Sequence, residues 1–289
     1  MAYRLTEEEI EQYRREGYVV VKSVFNAEDI EQVDRTIEDI SEQALASGNY
    51  DSILEVEPGS LGDKPVVRRI YNPFEQHPNF RAMATDDRLL DRVECLVGPS
   101  IQLQHSKLNM KAARLGSPVE WHQDLSYFPH TNTDLVTVLI YLDDATQENG
   151  CLQVIPRMHH RYLPAQTPEG VFAGMLTEDV HKYGEPIPLE APAGSVIFMH
   201  CLTPHSSLPN RSPHPRRTLI FEYRAADAFP IYYGPRVAND EQHAYQVRGM
   251  RSLYARLAGP PPMIPAMPEN FKSLYQLQEE TKERLGVAG

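Results

Sequence analysis

From residue 101 to residue 223 the chain is written as short apolar runs cut by turn residues, a rhythm expected of a β-sandwich or barrel. Residues 101–109 alternate loosely, 135–142 are almost continuously apolar, 151–155 follow an Asn149-Gly150 turn, 195–200 follow Ala193-Gly194, and 218–223 form the last strong run. With 119–124 as a sixth run, the pattern suits a jelly roll, mainly β with helices at its flanks.

The flanking segments read differently. Thr6 and Glu9 resemble a capping box, and Ile10, Tyr13 and Gly17 outline a short helix ending just past Glu16, followed by a strand at 18–21. In 27–46, Ile30, Val33, Ile37 and Ile40 recur at three- and four-residue intervals, the stripe of a helix lying on a core. A third helix is expected over 87–97, with Leu89, Leu90, Val93, Leu96 and Val97 inward. The 289 residues therefore divide, within one domain, into a helical preface of about 1–100, a jelly-roll core of about 101–225 and a C-terminal strap and helix of about 226–289. The strap is marked by Gly259-Pro260-Pro261-Pro262 and prolines at 265 and 268, the helix by 270–285. Residues 156–192 carry little strand signal, and a loop of that length suits a lid over a substrate.

Composition removes several classes of function. A formal charge of -12 opposes binding to nucleic acid or an anionic membrane. The sequence has no run near the roughly 20 apolar residues of a spanning helix and no signal-peptide stretch at its start. Its 3 cysteines, Cys95, Cys151 and Cys201, form no Cys-x-x-Cys pair, which fits a reducing cytoplasm.

His122-Gln123-Asp124 is the candidate for chemistry. Residues two apart on a strand project to one side, so His122 and Asp124 can grip one ion, and a carboxylate among Trp121, Tyr127 and Phe128 is costly unless paired or metal-bound. A third ligand from a distant strand would complete the two-histidine, one-carboxylate triad of non-haem Fe(II) oxygenases. Of the 11 histidines, His205 is the choice and His200 its rival. Eleven residues after His205, beyond a turn of Asn, Pro and Ser, stands Arg216, a permanently charged, bidentate partner for a dicarboxylate; the plainer alternative is a surface pair with Arg217. His159 and His160 read as a surface turn or substrate edge, His105 as a cavity or core residue, and His214 as a loop residue.

Five blocks together resemble the phytanoyl-CoA dioxygenase family of Fe(II)- and 2-oxoglutarate-dependent oxygenases: Leu5-Thr6 with Gly17-Tyr18-Val19-Val20, the stretch 121–129, the stretch 148–156, the stretch 193–198, and His205 through Arg216. The resemblance implies a cupin-like double-stranded β-helix with iron on His122, Asp124 and His205, and 2-oxoglutarate on Arg216 with help from Ser207. Lys111, Asn109 and Gln104 are further candidates for that cavity, and Tyr127, Phe128 and Arg69, with Arg68, Tyr71 and Phe172, for the substrate wall. Where some relatives carry an aromatic residue, this chain has Leu139-Ile140, so the contact to 2-oxoglutarate there is expected to be apolar. The implied reaction consumes O2 and 2-oxoglutarate and hydroxylates an unactivated C–H; halogenating relatives have a small residue at the position of Asp124. A small metabolite or natural-product intermediate suits a chain without a Lys/Arg-dense loop for a CoA nucleotide. The alternatives are a cupin-like metalloenzyme that uses no keto acid and a non-catalytic metal-binding sensor. Oligomeric state is left open.

Overall fold

The structure, a computed structural model, describes residues 2–48, 50–57, 60, 65–231, 245–261, 263–264, 266 and 274–286. In chain order its elements are α1 (Glu7–Glu16), β1 (Tyr18–Val21), α2 (Ala27–Ser47), β2 (Leu54–Val56), β3 (Val67–Tyr71), α3 (Pro73–Gln76), α4 (Pro78–Ala84), α5 (Asp87–Val97), β4 (Ile101–Lys111), β5 (Val119–His122), β6 (Leu135–Tyr141), β7 (Leu152–Val154), β8 (Ile187–Pro188), β9 (Val196–His200), β10 (His205–Ser207), β11 (Arg216–Ala225), β12 (Tyr245–Arg248) and α6 (Leu274–Leu285).

The expected capping box starts α1: the Thr6 hydroxyl accepts from the Glu9 N–H while the Glu9 carboxylate accepts from the Thr6 N–H. Gly17 ends the helix at φ 86, where an added Cβ would lie 2.6 Å from both His159 Nδ1 and Thr203 Oγ1. Only glycine combines that left-handed turn with so close an approach. A second box, Asn26 with Asp29, starts α2.

The large sheet runs β1-β9-β6-β11-β4-β3-β2, with β12 also paired to β4; the small sheet runs β5-β10-β7-β8. Alternation along the strands gives the large sheet two unlike faces. Ile70, Leu108, Val136, Val138, Ile140, Leu219, Phe221 and Tyr223 share one apolar core with Ile30, Val33 and Ile37 of α2 and Leu89, Leu90 and Val93 of α5. Leu139, Tyr141 and Ile220 join Leu152 and Val154 of the small sheet in a second core between the layers. This antiparallel sandwich with flanking helices is the double-stranded β-helix that the resemblance implied.

Three expectations need correction. The preface is not purely helical: β2 and β3 pair into the large sheet, and the short or arginine-bearing runs Leu54–Val56 and Val67–Tyr71 hid this because a strand hydrogen-bonded into a sheet can carry charges on its polar face. The tail returns a strand as well as a strap, since β12 pairs with β4. The stretch 156–192 holds three 3-10 turns and β8, and it is bound to its surroundings: Leu176 N–H donates to Trp121 O, and α6 sends Gln278 Nε2 to Gly174 O and Thr281 Oγ1 to Ala173 O. Of the expected 270–285 helix, Leu274–Leu285 is present, while 270–273 and prolines 262, 265 and 268 lie outside the described residues. No helix among the described residues is long and apolar enough to cross a membrane.

Candidate active site

The centre forms where the small sheet meets the polar face of the large one. His122 ends β5, and the β10 register puts His205 directly opposite it, their ring centroids 4.1 Å apart. Asp124 is not on the strand; it opens the 3-10 turn Asp124–Ser126. Gln123 keeps extended geometry at φ -116, ψ 129, so the alternation on which the His-x-Asp reading relied survives one residue beyond the strand end.

Backbone carbonyls aim both imidazoles. His122 Nδ1 lies 2.7 Å from Glu120 O and His205 Nδ1 3.0 Å from Thr203 O, so each Nδ1 carries the hydrogen and each Nε2 turns a lone pair inward. Each Nε2 is 3.7 Å from Asp124 Oδ1. Thr137 Oγ1 donates to Asp124 Oδ2 at 2.7 Å, leaving the other oxygen for the centre. Burial pushes His122 down to about 3 and lowers His205, which keeps both rings neutral and able to ligate. Burial opposes the charge on Asp124, but His205, Lys107, His122 and the Thr137 hydrogen bond hold its carboxyl at about 2. Two neutral imidazoles and an ionised carboxylate, with one ligand atom each inside a 4.8 Å span, fit a facial iron site. His200 is not part of it: its Nδ1 accepts from Leu202 N–H, and its ring packs between Tyr13 and His159.

Arg216 lies on the same polar face as Thr218, Ile220 and Glu222, each two residues further along β11. It lines the cavity with the triad, Leu139, Tyr141 and Ser207. The guanidinium is buried, donating to Thr218 Oγ1 at 2.7 Å and to Gly150 O at 2.6 Å. Its Nε has no partner, and it forms no ion pair among the described residues. Gly150 has φ 76, and an added Cβ would collide with Leu208 O.

The other candidates separate by the face they occupy. Asn109 lines the cavity and accepts from Arg69 Nε at 3.0 Å. Lys111 is buried opposite Arg216 in the register, its ammonium held by the carbonyls of Ser117 and Ser207. Gln104 departs from expectation. Leu103 and His105 face consecutive residues of β11, so Gln104 is the extra residue of a bulge, and it lines a separate groove of about 240 Å³ with Asn72, Glu75 and Tyr245. Tyr127 stands edge-on to His122 and to Phe172, its hydroxyl donating to Gly174 O. Phe128 also departs: it packs in a small cluster with Leu125, Leu135 and Leu202, because the 3-10 turn swings neighbouring side chains apart. The wall beside Arg216 is not merely apolar. Tyr141 joins Leu139 there, its hydroxyl donating to Leu189 O and accepting from Leu152 N–H. Sequence reasoning missed Thr137, Tyr141, Lys107 and Glu222; the i, i+2 step from Leu139, and from Asn109 and Arg216 along their strands, was the signal available.

Residues 13–218 match the family model described as Phytanoyl-CoA dioxygenase (PhyH), a span that contains the triad and Arg216. The chain belongs to the phytanoyl-CoA dioxygenase family. It is an Fe(II)- and 2-oxoglutarate-dependent dioxygenase. Among curated relatives of this family member, the "probable alpha-ketoglutarate-dependent hypophosphite dioxygenase" of Stutzerimonas stutzeri is 28% identical over 268 residues, covering 89% of this chain and 91% of that protein. The ectoine dioxygenase of Sphingopyxis alaskensis is 27% identical over 241 residues, 74% of each. The crystal structure of EctD from S. alaskensis in its apoform superposes with a TM-score of 0.69 at 24% identity, covering 86% of this chain and 88% of that one, and shares its fold.

Proposed function

We propose that this protein hydroxylates an unactivated C–H bond of a small metabolite or natural-product intermediate, with iron on His122, Asp124 and His205 and 2-oxoglutarate anchored by Arg216. The observation that carries the reading is the buried Arg216 guanidinium, without a counter-ion among the described residues, on the wall it shares with the triad. A buried charge without a partner is costly, and the distal carboxylate of 2-oxoglutarate supplies the bidentate partner. When bound, iron and 2-oxoglutarate supply the oxidising power through O2-driven decarboxylation of the keto acid to succinate and CO2.

The chain's own residues perform the rest. Glu120 O and Thr203 O hold the imidazoles in the ligating tautomer, and Thr137 fixes the carboxylate. Ser207 and Tyr141 flank the arginine's end of the cavity, and Lys111 braces the strand ends behind it. Tyr127 and Phe172 cover His122 and keep water from that side. Asp124 occupies the position a halide would need, which favours hydroxylation over halogenation. We also read the 289 residues as one oxygenase domain, because β2, β3 and β12 from both flanks pair into the same sheet as the core strands. The three free cysteines suit a reducing cytoplasm.

The test is anaerobic loading with Fe(II) and 2-oxoglutarate, then O2 and a panel that includes hypophosphite, ectoine and L-proline, the compounds in its relatives' names. Succinate release coupled to a product one oxygen heavier supports the reading. Product without succinate favours the keto-acid-free cupin, and failure to bind 2-oxoglutarate refutes the proposal.

A further inference from the structure

The strap that follows β12 turns its large apolar side chains outward: Met250 is 79% exposed, Leu253 89%, Tyr254 81% and Leu257 81%. The segment is not loose. Gly249 turns at φ 69 so close to Pro99 that an added Cβ would lie 2.4 Å from its carbonyl oxygen, and Met250 N–H donates to Ser100 Oγ. At the other end Arg256 N–H donates to Asp227 O, its guanidinium donates to the carboxylates of Asp227 and Asp134, the buried Asn132 amide donates to Arg256 O, and Ala258 N–H donates to Thr131 O. Between these anchors Ser252 Oγ accepts from Tyr254 N–H and donates to Tyr254 O, a local turn that makes Leu253 and Tyr254 the crest. Pinned at both ends, the strap holds four apolar side chains in water, which monomeric surfaces seldom do in one patch.

Beside the crest lies its complement. Met250 and Ser252 of the strap line a groove of about 510 Å³ together with Val97, Pro99, Ala225 and Ala226. A projecting ridge and a recess side by side on one surface are the two halves of an isologous contact, because a two-fold axis brings the ridge of each copy to the recess of the other. We infer that residues 250–257 and the adjoining groove form the interface between two copies of this chain, with Leu253 and Tyr254 of each copy seated in the groove of the other. The four exposed side chains present on the order of 500 Å², most of the roughly 800 Å² that each partner gives to a standard interface. The charged residues of the groove are Asp134 and Asp227 with Arg251 and Arg256, so identical faces meet without net repulsion although the chain carries -12. That same overall charge opposes an anionic membrane as the occupant. The groove shares no residue with the metal cavity, and the inference is independent of the chemistry assigned there.

Sedimentation equilibrium of the full chain tests this. The protein should reach twice its 32.9 kDa chain mass and stop there, with a dimer dissociation constant below about 10 μM. Leu253→Asp and Tyr254→Ser should each raise that constant at least about tenfold, the scale of losing one central apolar contact. Both side chains are exposed in the single copy, so folding does not depend on them, and equal melting temperatures at dilute concentration check this. Leu115→Asp, which alters an exposed apolar side chain beyond the opposite end of the 11-residue β4, should leave the constant within about twofold. A chain that stays monomeric at every concentration, a dimer that survives both substitutions, or growth into open polymers in place of a closed pair overturns the inference.

Discussion

Arg216→Gln isolates the group that distinguishes a keto-acid oxygenase from other metal jelly rolls. The guanidinium donates to Thr218 Oγ1 and Gly150 O and keeps Nε free. Removing one partner of a buried, hydrogen-bonded charge pair costs about 2–5 kcal/mol, so KM and Kd for 2-oxoglutarate should rise about 30-fold to about 4000-fold. The same substitution should not destabilise the ligand-free protein, because it removes a buried charge without a counter-ion. A ligand at 100 times its Kd stabilises by about 2.7 kcal/mol; a variant binding 100-fold more weakly gains only about 0.4 kcal/mol at that concentration. The difference, about 2.3 kcal/mol, corresponds to roughly 5–9 °C of lost 2-oxoglutarate-induced shift at about 2–4 °C per kcal/mol. Melting curves with and without 2-oxoglutarate, beside steady-state KM, measure both quantities. A KM change under threefold, or an equal fall in melting temperature with and without the keto acid, would refute the reasoning.

Asp124→Ala should abolish both turnover and tight iron retention, checked by metal analysis after gel filtration; unchanged turnover would remove the site assignment. Thr137→Val, which frees the non-ligating carboxylate oxygen, should weaken iron binding about 10- to 100-fold without unfolding the sandwich, read by competition with a chelator. Gly150→Ala imposes φ 76 on a side chain that meets Leu208 O; it should destabilise by about 1–3 kcal/mol in urea titration and raise KM for 2-oxoglutarate by displacing the carbonyl that holds Arg216. Burial pushes His130 and His200 down to about 3, so between about pH 6.5 and 3 the unfolded chain binds more protons than the folded one. Stability should therefore fall as pH drops through that window, by up to about 1.4 kcal/mol per histidine per pH unit, and His200→Gln should flatten the slope in urea titrations at pH 7.5 and 5.5.

The legible parts of this chain were those encoded locally. The capping box at Thr6 and the periodic stripe of α2 depend on residues three or four apart. The triad was legible because His-x-Asp and the interval from His205 to Arg216 are spacing statements that strand alternation turns into geometry. What stayed hidden depends on register. Glu222 and Thr137 meet only because β11 and β6 pair with one particular offset, whereas Gln104, an odd number of residues from Asn109 and Lys111 along β4, stands off their face by simple alternation. The strands β2, β3 and β12 escaped notice because they are short or polar and are strands only by virtue of their neighbours.

Gln123, which sits between two ligands and contacts no metal, has its own consequence. Its side chain donates to Arg161 O and Leu202 O and accepts from Leu163 N–H and Gln166 Nε2, while its backbone N–H donates to Gln166 Oε1. Residues 161–166, the segment leading to His205 and the His-x-Asp corner are thereby fastened at a single amide. A substitution at Gln123 would therefore disturb the His-x-Asp corner, the approach to His205 and the 161–166 segment at once, although it removes none of the three ligands.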